Sequence, residues 1–384
     1  MMSLKNILID LYQDRISLKT FIICFVIVFG LGSSNTLCAW GKKKTQSDNE
    51  QPQKEEKVDK GFLDKVEDMR QEIFGKSGLS CKVVSKSFNS SLTQYDPRLE
   101  ALVKGVIEDL KTRNISSLVK KFHPRLKVTK YHVKTKIFGT LSSFIFTNPS
   151  YSLYRVWALD AKDHQGFSIA CDDEYSMNLH YGYNLQFGVW IQIMSDVELG
   201  WIYTTIVPYQ SGWVLASFDV RQLSSEEKQA QDWQKEAVAD YDKKLINLSY
   251  LKFDIARKLS YTGGYVYVKN LDKIKQDIQQ RFSDKNPLMD LIGPMMEGRT
   301  LLRAESNFAP GGAGVFIRYG VTWKESDNNL NSQCKRIAKN ILAISELSSM
   351  KGVKCSFSLP GEDLNIDGAR GSLYIPRETQ TKKK

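Results

Sequence analysis

GWIYTTIVPYQSGWVLASFDV, residues 200–220, reads as a strand, a tight turn and a strand that comes back. Leu199, Trp201, Tyr203, Thr205 and Val207 alternate as one face of a strand requires, although Ile202 and Ile206 blur the pattern. Residues 208–212 carry turn chemistry, Pro208 at one end and Gly212 at the other, and 213–220 return the chain. Immediately upstream, Leu185, Phe187, Val189, Ile191 and Ile193 alternate with polar or small residues, Trp190 excepted. The same period of two continues backward through 165–171, 151–159 and 127–138. Strands joined by short turns predict a mainly antiparallel, well-twisted sheet.

Ahead of these strands the period is that of helices. Residues 62–74 predict a short amphipathic helix, leading into a strand at 80–87. Asp96-Pro97 supplies an N-cap and a first-turn proline for a helix that lines up Leu99, Leu102, Val103, Val106 and Leu110. A second short helix turns Ile115, Leu118, Val119 and Phe122 inward and stops at His123-Pro124. Two helices, a run of strands and a closing hairpin with Gly212-Trp213 after its turn resemble the nuclear-transport-factor-two-like superfamily. Its members include SnoaL-like and ketosteroid-isomerase-like proteins. The resemblance covers residues 90–222, about a third of the chain, and rests on element order and the closing hairpin. It implies a curved sheet wrapped around the helices as a cone with a pocket. Enzymes, binding modules and interaction domains all use that fold, so the resemblance does not assign an activity.

Downstream, Ser224-Ser225-Glu226-Glu227 predicts a capping-box start, and helices follow to about Phe282 with a break near Thr262-Gly263-Gly264. After Asn286-Pro287 a hairpin is expected from 300–308 and 315–323, then a helix over 329–347 and strands at 353–359 and 371–375. The fold class is therefore α+β. A cone-shaped unit with its N-terminal helix spans 62–222, a helical segment 223–285, and a small α+β unit with a basic tail 286–384.

The amino end reads as targeting rather than fold. Phe21 to Gly32 is a tight apolar run of about a dozen residues, shorter than the roughly 20 a membrane span needs. Cleavage after Ser34 or Ala39 suits a signal peptide; Lys42, Lys43 and Lys44 beyond it keep an uncleaved anchor open. Cys38 invites lipidation, but Leu37 stands where a small residue is needed. Residues 1–40 are thus a signal peptide or signal anchor, and 41–61 a polar linker. The 384 residues hold 54 Lys+Arg against 43 Asp+Glu, a net charge of +11 that favours acidic partners without naming one.

Export alters the reading of the cysteines. Cys334 sits in line with Leu330, Ile337 and Ile341 on a helix, and Cys355 alternates with Val353, Phe357 and Leu359 on a strand. Both thiols point toward one core, where they either bridge or serve as small hydrophobes. Cys81 and Cys171 receive no partner from spacing. No Cys-x-x-Cys and no Cys/His pair at ligand spacing occurs, so no zinc site is expected, and nothing calls for a cofactor.

The four histidines, His123, His132, His164 and His180, belong to no recognisable triad. His123 reads as a helix stop and His164 as part of a hairpin turn. Cone-fold enzymes place carboxylate, histidine and tyrosine groups in the pocket, and Asp160, Asp172, Asp173, Tyr181 and Tyr183 are the residues such a role would fall on. None matches a family motif, so no catalytic residue is assigned. Asp172-Asp173-Glu174 reads as a solvated strand end. Gly311-Gly312-Ala313-Gly314 reads as a turn, because a strand rather than a helix follows it. The sequons at Asn89, Asn114 and Asn247 matter only in a glycosylating pathway.

Between Lys111 and Leu159 there are ten Lys/Arg and no Asp/Glu. Within it, Lys130, His132, Lys134 and Lys136 fall on alternate positions, which on a strand makes one cationic face. That face is either a solvated surface or a site for an acidic partner. These features describe an exported, periplasmic or membrane-anchored envelope protein acting as a non-enzymatic binding or assembly module. Its partner is an acidic envelope component or protein, with membrane association possible through the N-terminal segment and no nucleic acid expected. The alternative is an isomerase- or dehydratase-like enzyme using the cone pocket.

Overall fold

The structure, a computed structural model, describes residues 59–75, 78–85, 92–143, 149–161, 168–178, 183–195, 198–261, 264, 266–309, 312–322, 324–359 and 371–377. The leader and most of the polar linker, His164, His180, Tyr181, Gly311, the Asn89 sequon and the basic tail lie outside them.

The first half is a curved antiparallel sheet packed on helices. Its strands are β1 (Ser80–Ser85), β2 (Ser150–Asp160), β5 (Leu185–Met194), β6 (Leu199–Tyr209), β7 (Gly212–Leu215) and β8 (Asp219–Gln222), hydrogen-bonded in the order β1-β2-β5-β6-β7 with β8 also on β6. Tyr209 pairs with Gly212 across a two-residue turn in which Gln210 takes a left-handed φ of 52°. Gly188, opposite Trp157, is required by packing: a Cβ there would stand 2.9 Å from the Tyr203 hydroxyl.

Both faces of this sheet are covered. One face carries Val156, Phe187, Val189, Ile191, Ile202, Ile206 and Trp213 against α1 (Lys60–Phe74), α2 (Pro97–Thr112) and α3 (Ile115–Lys120). The other carries Trp157, Leu159, Trp190, Trp201 and Tyr203 against a small sheet of β3 (Ser168–Ala170), β4 (Tyr175–Asn178) and β11 (Val266–Val268). The exceptions to alternation in the sequence, Trp190, Ile202 and Ile206, therefore reflect a sheet buried on both sides. Asp96 caps α2 by accepting from Arg98 N at 2.8 Å, and its other oxygen accepts from Trp213 Nε1 at 3.0 Å, fixing the helix to the closing hairpin.

The strand expected over 127–138 is instead a helix. Lys130–His132 begins it, a π-helical turn Val133–Phe138 continues it, and Gly139–Ser143 ends it; together, 130–143, they are α4. Thr129 and His132 cap its start reciprocally, with the Thr129 hydroxyl accepting from His132 N and His132 Nδ1 from Thr129 N, each at 3.3 Å. Val133, Ile137 and Leu141 satisfy a period of two and a period of four alike, which misleads a pattern reading. The extended reading also needs Tyr131 inside, and Tyr131 is 71% exposed.

A second correction concerns residues 224–227. Ser224–Ser225 (β9) and Lys228–Gln229 (β10) form a short ribbon, with Glu226 and Glu227 at φ of 55° and 62°. Ser224 cannot cap a helix, because its hydroxyl donates to Glu198 Oε2 at 2.7 Å and accepts from Leu199 N at 2.8 Å. The helix α5 (Ala230–Asp242) starts beyond it, followed by α6 (Ile246–Ser260), α7 (Asn270–Phe282) and α8 (Pro287–Ile292).

The remaining sheet has the order β12-β13-β14-β15, made of Leu301–Ala309, Gly312–Gly320, Gly352–Ser358 and Ser372–Pro376. β12 and β13 are an antiparallel hairpin; β13 and β14 are parallel and joined through α9 (Asp327–Leu342). Leu330, Cys334, Ile337 and Ile341 of α9 share one core with Val315, Ile317, Cys355 and Phe357, and with Trp233, Leu251, Phe253 and Leu288 of the preceding helices. The junction between the halves is held by Glu226, whose Oε1 accepts from Ala313 N at 2.9 Å. Gly312, at φ 130°, leaves the space that this carboxylate occupies.

Candidate functional sites

Among the described residues, the space between the curved sheet and its helices is packed with side chains. Phe62 and Phe187 set their rings edge-on to Trp213 at 5.7 and 5.3 Å, and Leu99, Val103, Val106 and Leu110 close the space beneath them. Asp160 is fully buried and accepts from Arg70 Nη1 at 2.7 Å; Arg70 also binds Glu67, whose carboxyl it lowers to about 2. Asp172 pairs with Arg155 at 2.9 Å and accepts from Glu174 N and Tyr175 N, so it organises a turn; Asp173 is exposed. The Tyr183 hydroxyl lies 3.0 Å from His123 Nε2. His123 Nδ1 accepts from Arg125 N at 3.1 Å, which leaves the proton of the neutral ring on Nε2 and makes Tyr183 the acceptor. Burial, aided by Arg125, lowers the His123 pKa, so the neutral ring is favoured and serves as the stop between α3 and the next turn. Asp160, Asp172, Tyr183 and His123 are thus each engaged in structural contacts, while Asp173 is exposed.

The cationic residues do gather on one element, although a helix rather than a strand. Lys130 and Lys134 stand one turn apart on one side of α4, whereas Lys136, two residues beyond Lys134, projects from the other side, so the single cationic face expected of a strand is divided; all three are exposed. No carboxylate of the described residues pairs with them, whereas Lys121 and Arg155 of the same basic region pair with Asp109 and Asp172. His132 is half-buried and engaged in the helix cap. Tyr131, adjacent in sequence to Lys130 on α4, is 71% exposed.

Two disulfides are present. Cys334 and Cys355 join α9 to β14 with Cα atoms 6.1 Å apart; Cys81 and Cys171 join β1 to the end of β3 at 4.8 Å. Sequence reasoning leaves the second pair unassigned, because the strand carrying Cys81 and the flap carrying Cys171 show no register to each other. The only signal is elimination: once two of Cys81, Cys171, Cys334 and Cys355 pair, two remain.

A site that the sequence did not announce lies in the second half. A cavity of about 310 Å³ opens between α6, α7 and β12, lined among others by Tyr250, Asp254, Arg257, Lys275, Arg303 and Glu305. Asp254 is buried; burial pushes its carboxyl up, but Lys258 and Arg257 outweigh that and hold it well below the usual range. Its Oδ1 accepts from Arg257 Nη2 at 2.6 Å, and its Oδ2 from Ser306 N and Oγ at 2.9 and 2.7 Å. Glu305 accepts from Arg303 at 2.7 Å and stands 3.3 Å from Lys258. Burial and the neighbouring Asp254 push the Tyr250 hydroxyl up to about 12, so it stays a proton donor.

Among the described residues no group of histidine, cysteine, aspartate and glutamate could hold a metal ion, and no helix is long and apolar enough to cross a membrane. No family model, no curated protein and no solved structure matches this chain.

Proposed function

We propose that this chain is an exported or membrane-tethered envelope protein that works as a non-enzymatic binding and assembly module, with the lysine face of α4 as its contact for an acidic partner. We read residues 90–222 as nuclear-transport-factor-two-like. The observation that carries the proposal is the display of Lys130, Lys134 and Lys136 on one helix without a carboxylate partner among the described residues, beside the exposed ring of Tyr131. Lys130 and Lys134, one turn apart, repel each other, and an anionic surface relieves that repulsion. A reaction in the cone would need open space and uncommitted acid/base groups; packed rings and engaged carboxylates favour binding instead. Two disulfides suit an oxidising compartment, in keeping with the apolar leader.

The test is the Lys130→Gln/Lys134→Gln/Lys136→Gln variant of the full chain. Sedimentation with the envelope fraction is expected to fall and to become less salt-dependent, with the circular dichroism unchanged. Unaltered association would end the proposal for this face. A phosphatase fused after residue 61 is expected to be active; inactivity would end the proposed export.

A further inference from the structure

We propose that the cavity between α6, α7 and β12 is a binding site for a small molecule bearing a phosphomonoester group. The cavity, about 310 Å³, lies at the lower end of the range for small-ligand pockets. Its charge is unequal. Arg257, Lys275 and Arg303 line it, and Lys258 stands behind, 3.2 Å from Asp254 and 3.3 Å from Glu305. The lining itself sets Arg257, Lys275 and Arg303 against Asp254 and Glu305, a surplus of one positive charge, while Lys258 behind it is engaged with both carboxylates. A phosphomonoester offers three acceptor oxygens to two guanidinium forks and an ammonium, whereas a carboxylate offers two.

The cationic groups are also held ready. Arg257 gives Nε and Nη2 to Asp254, and Arg303 gives Nη2 to Glu305, so each guanidinium is anchored by part of its fork. Anchored guanidinium groups lose less freedom when they bind, and their planar fork suits phosphate oxygens. Lys275 pairs with no carboxylate among the described residues; its ammonium stands 5.9 Å from the Tyr267 ring centre at the mouth. Tyr250, set edge-on to Phe282 at 5.2 Å, supplies a fixed apolar wall ending in a hydroxyl. Gln279 is engaged with Asp284; of the acidic residues on α7, Asp277 is paired with Arg281 and Asp272 accepts from the Tyr267 hydroxyl.

The site is tested by titrating the full chain with inorganic phosphate, phenyl phosphate and benzoate, following heat of binding and melting temperature. Phenyl phosphate is expected to bind saturably and raise the melting temperature, inorganic phosphate to bind more weakly, and benzoate least. Lys275→Gln and Arg303→Gln are each expected to weaken phenyl phosphate binding by about tenfold or more. Lys275 lies on an exposed helix face, so its variant reads binding even if Arg303→Gln unfolds the chain. Absence of saturable binding of phenyl phosphate at millimolar concentration, or unchanged affinity in Lys275→Gln, would overturn the proposal. Phosphate binding that survives in the α4 triple variant separates this site from the lysine face.

Discussion

Arg70 and Asp160, ninety positions apart, meet at 2.7 Å with both side chains withdrawn from solvent, joining α1 to the end of β2. Asp160→Ala leaves the guanidinium buried with Glu67 as its remaining acidic partner among the described residues. The variant is expected to lose about 3 kcal/mol in urea unfolding, the lower end of the cost of breaking a buried pair. A loss below about 0.5 kcal/mol, the size of an ordinary surface change, would show that the pair does not hold α1 to the sheet.

Glu198 gives a pH-dependent prediction. Burial raises its carboxyl pKa above the ordinary 4.5, and the bonds from Ser224 and Glu226 only partly offset this. A raised carboxyl binds its proton more tightly folded than unfolded, so its contribution is present below about pH 4.5 and lost as pH rises through the folded value. Glu67 and Asp254, both depressed, act in the opposite sense and lose their contribution as pH falls. Glu198→Gln is therefore expected to melt at or above the parent temperature at neutral pH, with the gap closing in acid. A variant less stable by the same margin at every pH would contradict this.

The helix α4 can be distinguished from a strand by two substitutions. Ile137→Ala removes a buried side chain and is expected to cost about 2–4 kcal/mol. Tyr131→Ser lies at an exposed position and is expected to stay within about 0.5 kcal/mol of the parent. In a strand these two residues would share a face; equal costs would restore the extended reading.

The two disulfides should differ in what their loss costs. The chain-entropy account assigns roughly 4.5 kcal/mol to closure across a separation of 90 and roughly 3.4 kcal/mol across 21. Cys81→Ser/Cys171→Ser is expected to lower the urea midpoint more than Cys334→Ser/Cys355→Ser, whose thiols sit in a core that the helix and sheet already enclose. The reverse order would mean that native packing, rather than loop closure, sets the difference.

The α+β class was legible because each half switches period cleanly: Leu99 to Leu110 cannot be a strand, and Leu185 to Ile193 cannot be a solvated helix. Ambiguity entered where burial failed to discriminate. Val133, Ile137 and Leu141 fit either period, and only the exposure of Tyr131 separates them. At Ser224 the local capping signal was outweighed by Glu198, which is distant in sequence and adjacent in space. The short strands β4 and β11 exist because they cover Trp157 and Trp190, a demand no local window contains. The excess of lysine and arginine between Lys111 and Leu159 could be read from composition, but which lysines share a side could not, because that depends on register and 130–138 is helical rather than extended. The cavity of the second half could not either, because its cations come from three elements and only the fold brings Arg257, Lys275 and Arg303 together.

The bond between Cys81 and Cys171 also makes a covalent ring of the chain segment that bears α2, α3, α4 and β2. Exposed basic residues such as Arg125 and Lys127 are where a trypsin-like protease cuts first. A nick there opens the ring without dividing the molecule, since both new ends stay tethered through the two sulfurs. The N-terminal piece bearing α1, α2 and α3 thereby stays covalently joined to α4 and the strands after a cut that would separate them in an unbridged chain, and clipped protein remains a single species until it meets a reductant.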